Sequence, residues 1–137
     1  MPAKNSAARG KKMKKTILFI GLIAAFFVLA SCSQTSYPRE EVDSFAKCLT
    51  ENGVVEYGAF WCPNCAKQKK MFGSSYQYIN YVECDARGEN PQPELCLAKN
   101  VNKYPDWEFA DGSRLEGVQP FEVLAQKSGC TAPTPTA

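Results

Sequence analysis

The stretch that decides the fold runs Val54-Val55-Glu56-Tyr57-Gly58-Ala59-Phe60-Trp61-Cys62-Pro63-Asn64-Cys65 and continues to Gly73. Val54 to Ala59 is apolar and β-branched at its start and reads as a strand. Phe60 to Cys65 then breaks into a helix that runs through Met71-Phe72 and stops at Gly73, with Pro63 at an opening position where a missing N–H costs nothing. A cysteine at the first turn of a helix has its thiolate stabilised by unpaired N–H groups and by the helix dipole. Cys62 takes that place, which makes it the attacking sulfur. Cys65, one turn further in, lies on the same helical edge and can close a disulfide with Cys62 or release a mixed disulfide formed there. Phe60 and Trp61, just before, read equally as core residues or as an apolar surface for an unfolded peptide.

Outward from this stretch the remaining elements follow. Val42, Phe45, Ala46 and Leu49 fall at i, i+3, i+4 and i+7, one face of a helix that Gly53 terminates. Ile79 to Cys84 reads as a strand, Glu94 to Lys99 as a short helix, and Asp106 to Ala110 with Ser113 to Glu116 as a hairpin turned at Asp111-Gly112. Phe121 to Lys127 makes a last helix ending near Gly129. The order α-β-α-β-α-β-β-α predicts an α/β domain over 39–130, with a small central sheet of about four strands flanked by helices. Thr131 to Ala137 is Pro/Thr-rich and is expected to be disordered.

The whole chain has 137 residues, enough for one core and too few for two. It contains seven cysteines and no histidine, so His-assisted hydrolysis, His-ligated zinc and haem ligation by histidine are excluded. Chemistry must run on cysteine, carboxylate, lysine or tyrosine. Six of the sixteen basic residues and none of the fourteen acidic ones precede Cys32, which leaves ten basic against fourteen acidic residues, a balance of −4, from there on. A mildly acidic body argues against a nucleic-acid surface.

Those six basic residues precede an apolar run from Ile17 to Ala30, the charged-then-apolar order of a secretory signal. As a helix the run would extend about 21 Å, against a hydrocarbon core of about 30 Å, so it reads as a signal rather than a permanent span. Leu29-Ala30-Ser31-Cys32 resembles a lipobox, the pattern cut by bacterial signal peptidase II before a cysteine that carries diacylglycerol. Residues 1–31 are then a signal peptide, Cys32 the lipidation site and 32–38 a lipidated tether. Met13, opening Met-Lys-Lys-Thr, is an alternative initiator. Acyl chains contribute about 0.8 kcal/mol per buried methylene, so two or more hold a protein stably on a membrane.

Trp61-Cys62-Pro63-Asn64-Cys65 between a strand and a helix, with Tyr104-Pro105 ahead of a later hairpin, resembles the thioredoxin fold. Gly58-Ala59-Phe60-Trp61-Cys62-Pro63, Tyr81-Val82-Glu83-Cys84-Asp85 and Pro93-Glu94-Leu95-Cys96 are similar, more closely, to the thioredoxin-like domains fused to or paired with bacterial vitamin K epoxide reductase (VKOR) homologues. The resemblance covers about residues 40–129. It implies that Glu56, six positions before Cys62, is a buried carboxylate that accepts the proton of Cys65, the alternative being a solvent-facing charge on the strand. It implies that Pro105 follows a cis peptide bond opposite the disulfide, where substrate backbone adds as a strand. Trp61, Pro63, Asn64 and Tyr104 are then expected to contact substrate. Asn64 stands where strong oxidants of the DsbA type carry histidine; an amide can donate a hydrogen bond to Cys62 but brings no cation.

With Cys32 lipidated, six cysteines remain. The resemblance pairs Cys84 with Cys96 around the proline-containing loop, as a structural bridge or as a second redox pair. Elimination leaves Cys48 and Cys130 to each other, unless either is free or pairs between molecules. A four-thiolate zinc site on Cys62, Cys65, Cys84 and Cys96 is a rival, although the eleven residues between the second two are too many for the usual close-spaced pairs. No bound metal or cofactor is expected. The resemblance implies a lipid-anchored, extracytoplasmic thiol–disulfide oxidoreductase that exchanges disulfides with reduced or unfolded exported proteins and is reoxidised by a VKOR-like, quinone-linked membrane enzyme. Two alternatives stand beside it: a lipoprotein that keeps exported cysteines reduced, and a disulfide-stabilised binding lipoprotein with no enzymatic activity.

Overall fold

The computed structural model of the chain describes residues 36–136. The expected signal peptide, Met13 and the expected lipidation site Cys32 lie outside the described residues. Helix α1 spans Arg39–Glu51, with Glu40 and Glu41 in its first turn, where negative charge complements the dipole. Its predicted apolar face, Val42, Phe45, Ala46 and Leu49, is buried, and Gly53 follows it at a φ of 73° that favours glycine. Strand β1 is Val55–Gly58, helix α2 Pro63–Phe72, strand β2 Tyr81–Glu83, helix α3 Pro93–Ala98, strands β3 and β4 Asp106–Glu108 and Arg114–Glu116, and helix α4 Phe121–Ser128. Among the described residues no helix is long and apolar enough to cross a membrane.

The strands form one sheet in the order β2-β1-β3-β4, with β1 parallel to β2 and the other pairs antiparallel. Glu56 pairs with Tyr81 on one side and with Trp107 on the other, and Trp107 pairs with Leu115. Since paired residues share a face, Glu56, Gly58, Tyr81, Glu83, Trp107 and Leu115 line one side of the sheet. The larger core gathers there. Phe45, Phe72 and Phe121 meet at ring distances of 4.9–6.2 Å, and Phe72 reaches Trp107, which is fully buried. On the other face Tyr57 and Val82 pack with Cys84 and Cys96 of a disulfide. Arg114 reaches Asp106 at 2.7 Å on that side and lies over the Tyr57 ring. The architecture is a thioredoxin-like fold, an α/β sheet of four strands with helices around it, as the sequence predicts.

Three details differ from the sequence reading. Strand β2 begins at Tyr81 rather than Ile79, because Gly73–Tyr78 forms a 3₁₀ segment that the Ile79 N–H closes onto Tyr76. The tether does not extend to Pro38, since the Tyr37 ring packs edge-on against Phe121. The expected disordered tail lies back along α1: Thr134 donates from its N–H and its hydroxyl to Glu41 Oε2 at 2.7 Å, and Thr136 bridges to Ser36. Its composition suggested a free chain, but Cys130 is bonded to Cys48, and that attachment brings Thr134 within reach of a carboxylate on the first turn of α1.

Candidate functional site

Cys62 caps α2, its backbone extended at φ −73° and ψ 119°, and its sulfur accepts the Cys65 N–H at 3.2 Å. Pro63 takes the first helical position and, like Asn64, is exposed. Both cysteines are unbonded and buried, Cys65 at 1% exposure. The sulfur of Cys62 thus takes its hydrogen bond from the helix backbone and not from the Asn64 amide considered in the sequence. Tyr104 packs against Ala59, Cys62 and Cys65, and the Tyr104-Pro105 bond is cis. Trp61 and Phe60 are about half exposed, so the core reading of this aromatic pair is set aside.

Beneath Cys65 lies a buried polar pocket. Glu56 is fully buried, neither carboxylate oxygen has a hydrogen-bond partner, and burial pushes its pKa up to about 8. The Tyr76 hydroxyl and the Lys69 charge oppose that shift without cancelling it, and the hydroxyl itself is buried without a partner in hydrogen-bonding geometry. The reading of Glu56 as a solvent-facing charge is therefore overturned. Burial likewise pushes the Cys65 thiol up to about 12, with Cys62 and Glu56 adding to it. A thiol held that firmly cannot ionise alone near neutrality and needs a base beside it as it attacks.

Several residues of the site were not singled out from sequence. Gly58 sits so close to Cys65 that a β-carbon there would stand 2.9 Å from the sulfur. Lys69 lies over the Tyr81 ring at 4.2 Å, and the Tyr81 hydroxyl donates to Glu83. At the rim, Trp61 Nε1 donates to Asp85 at 2.7 Å, and Arg87 grips the same carboxylate through Nε and Nη2 while lying over the Phe60 ring. That double contact holds the Asp85 carboxyl well below the usual carboxylate range. The alternation of β2 puts Tyr81 and Glu83 on one face, but only the pairing register shows that this face lies under α2.

The remaining cysteines form two disulfides, Cys48–Cys130 and Cys84–Cys96. The four-thiolate zinc alternative loses two of its ligands to the second of these. With the geometry in place, one comparison bears on the chemistry. The chain is similar to a plant thiol–disulfide oxidoreductase. That protein, thiol-disulfide oxidoreductase LTO1 of Arabidopsis thaliana, is 34% identical over 105 residues, which cover 68% of this chain and 28% of the plant protein. The chain thus spans less than a third of that relative's length. No family model matches the chain.

Proposed function

We propose that this protein is a lipid-anchored, extracytoplasmic thiol–disulfide oxidoreductase working through Cys62-Pro63-Asn64-Cys65. The observation that carries the reading is the pair of buried, unbonded cysteines at the start of α2, the second of them set above a partnerless buried carboxylate. In the oxidised form a substrate thiolate attacks the Cys62 sulfur, and the Cys62–Cys65 bond breaks. The electron pair leaves on Cys65, which takes a proton from Glu56. A second substrate thiolate then attacks its own sulfur in the mixed disulfide, leaving an oxidised substrate and a reduced Cys62. Exposed Trp61 and Phe60, with Tyr104 behind, offer the apolar surface on which an unfolded peptide settles. Reoxidation returns two electrons to a VKOR-like, quinone-linked membrane enzyme, and the lipid on Cys32 keeps the domain near it.

Asn64, which brings no cation to Cys62, favours a second reading in which the same chemistry runs in reverse and keeps exported cysteines reduced. The reduction potential separates the two. Potentials in this fold run from about −270 mV for thioredoxin to about −120 mV for DsbA, and 30 mV corresponds to about 1.4 kcal/mol. We expect the full chain, equilibrated in detergent against glutathione and read by thiol alkylation, to lie toward the DsbA end. A value at the thioredoxin end selects the reductive reading, and a pair that never equilibrates returns both cysteines to a structural role. In cells, Cys65→Ser should trap mixed disulfides on Cys62 that mass spectrometry identifies as exported proteins. A trap that stays empty would defeat the substrate assignment.

A further inference from the structure

Glu56 is fully buried, and neither of its carboxylate oxygens has a hydrogen-bond partner among the described residues. A second buried carboxylate near Cys65, Glu83, has partners for both of its oxygens. The position a Gly58 β-carbon would take stands 2.9 Å from Cys65 Sγ and 3.1 Å from Tyr81 Oη, so the sulfur and the hydroxyl are no more than about 6 Å apart, a gap that one water spans. Tyr81 Oη donates to Glu83 Oε2 at 2.9 Å, and Glu83 Oε1 accepts the Asp85 N–H at 2.9 Å. Glu83 is itself buried, at 4% exposure. Gly88 closes over it, since a β-carbon there would stand 2.5 Å from Glu83 Cδ. Register places Tyr81 beside Glu56 and Glu83 beside Gly58, so both carboxylates face α2 from adjacent strands. The row runs from Cys65 through Tyr81 and ends on Glu83, which the Asp85 N–H holds in place.

We propose that Tyr81 and Glu83 form a second proton-transfer arm for Cys65, separate from Glu56. The inference rests on the oxidoreductase reading above and deepens it. When Cys65 attacks a mixed disulfide, its S–H bond breaks, the proton passes to the Tyr81 oxygen through the bridging water, and the Tyr81 proton moves to Glu83. The new Cys62–Cys65 bond forms as the bond to the substrate sulfur breaks, and the electron pair leaves on the substrate. In the opposite direction the same groups return the proton to Cys65. The groups facing the relay are Glu56 from β1, Lys69 from α2, Tyr76 from the 3₁₀ segment, Tyr104, and Asp85, with Arg87 upon it, from the loop after β2. Lys69 lies over both the Tyr76 and the Tyr81 rings, while burial and the neighbouring carboxylates keep both phenols protonated, so Tyr81 gives up one proton only as it takes another.

The test is the rate at which the oxidised full chain in detergent is reduced by dithiothreitol, followed by stopped flow from about pH 5 to about pH 9, in Glu56→Gln, Tyr81→Phe, Glu83→Gln and the Glu56→Gln/Tyr81→Phe double variant. Each single change should slow the step about 10-fold and move its pH profile, and the double change about 100-fold, within the range spanned by general acid–base catalysis. Tyr81→Phe keeps the ring against Gly58, and should it fail to fold, Glu83→Gln carries the same comparison. A rate and profile in Tyr81→Phe and Glu83→Gln identical to wild type would overturn the arm, as would a double variant no slower than Glu56→Gln. A wild-type protein that dithiothreitol does not reduce would instead overturn the oxidoreductase reading.

Discussion

Glu56 shows how one residue couples stability to chemistry. Its folded pKa, about 8, is raised above its ordinary value of 4.5, so the folded state holds a proton that the unfolded state has released across that window. Stability from this group is therefore fully present below about pH 4.5 and is lost as pH rises toward about pH 8, at about 1.4 kcal/mol per unit. The full loss is on the order of 3–5 kcal/mol. Urea unfolding at about pH 5 and about pH 9 should show wild type losing stability relative to Glu56→Gln, whose amide does not titrate. Parallel pH slopes in the two proteins would place Glu56 in a wetter site than its burial indicates. The carboxylate itself was legible only through the family likeness, in which a buried acidic residue stands six positions ahead of the first cysteine. Its company was not, because Tyr76, Tyr81 and Glu83 come from segments 20 to 27 residues away whose placement depends on register.

At the scale of elements, the two disulfides staple different things. Cys84–Cys96 closes a short excursion between β2 and α3, with a separation of 12 residues, whereas Cys48–Cys130 joins the last turn of α1 to the end of α4 across 82. On the chain-entropy model the longer closure contributes about 4–5 kcal/mol and the shorter about 3 kcal/mol. Serine at both positions of each pair should lower the thermal midpoint, more for Cys48 and Cys130. An equal drop would point to native-state strain or residual unfolded structure in place of loop entropy. The helices were readable in advance because each announces itself locally: α1 by its apolar period, α2 by Pro63 and Gly73, α4 by Gly129. The 3₁₀ segment Gly73–Tyr78 was not, since six mostly polar residues carry no period, and what holds it is the packing of Tyr76, Tyr78 and Ile79 onto the main core.

For the molecule as a whole, anchoring and exchange should be separable. Cys32→Ser should move the protein from the membrane fraction to the soluble exported fraction while leaving the dithiothreitol rate of the purified protein unchanged. Retention in the membrane would point to the apolar run Ile17 to Ala30 as the anchor. Order along the tail was hidden from composition for a related reason. Pro133 and Thr134 look like linker residues until Cys130 delivers them to α1.

The closure of that tail has a mechanical side. Ser36 and Thr136 meet at one point, and the first covalent link inward from them is Cys48–Cys130. Tension applied between those two residues first unzips Ser36 from Thr136, then peels Thr134 from Glu41 and unwinds α1 toward Cys48. There the load crosses the sulfur–sulfur bond. Residues 49–129, with Cys62 and Cys65, lie inside the covalent loop, so the load bypasses their backbone. A pull between the two ends therefore reaches the chain around Cys62 and Cys65 only if that one bond breaks.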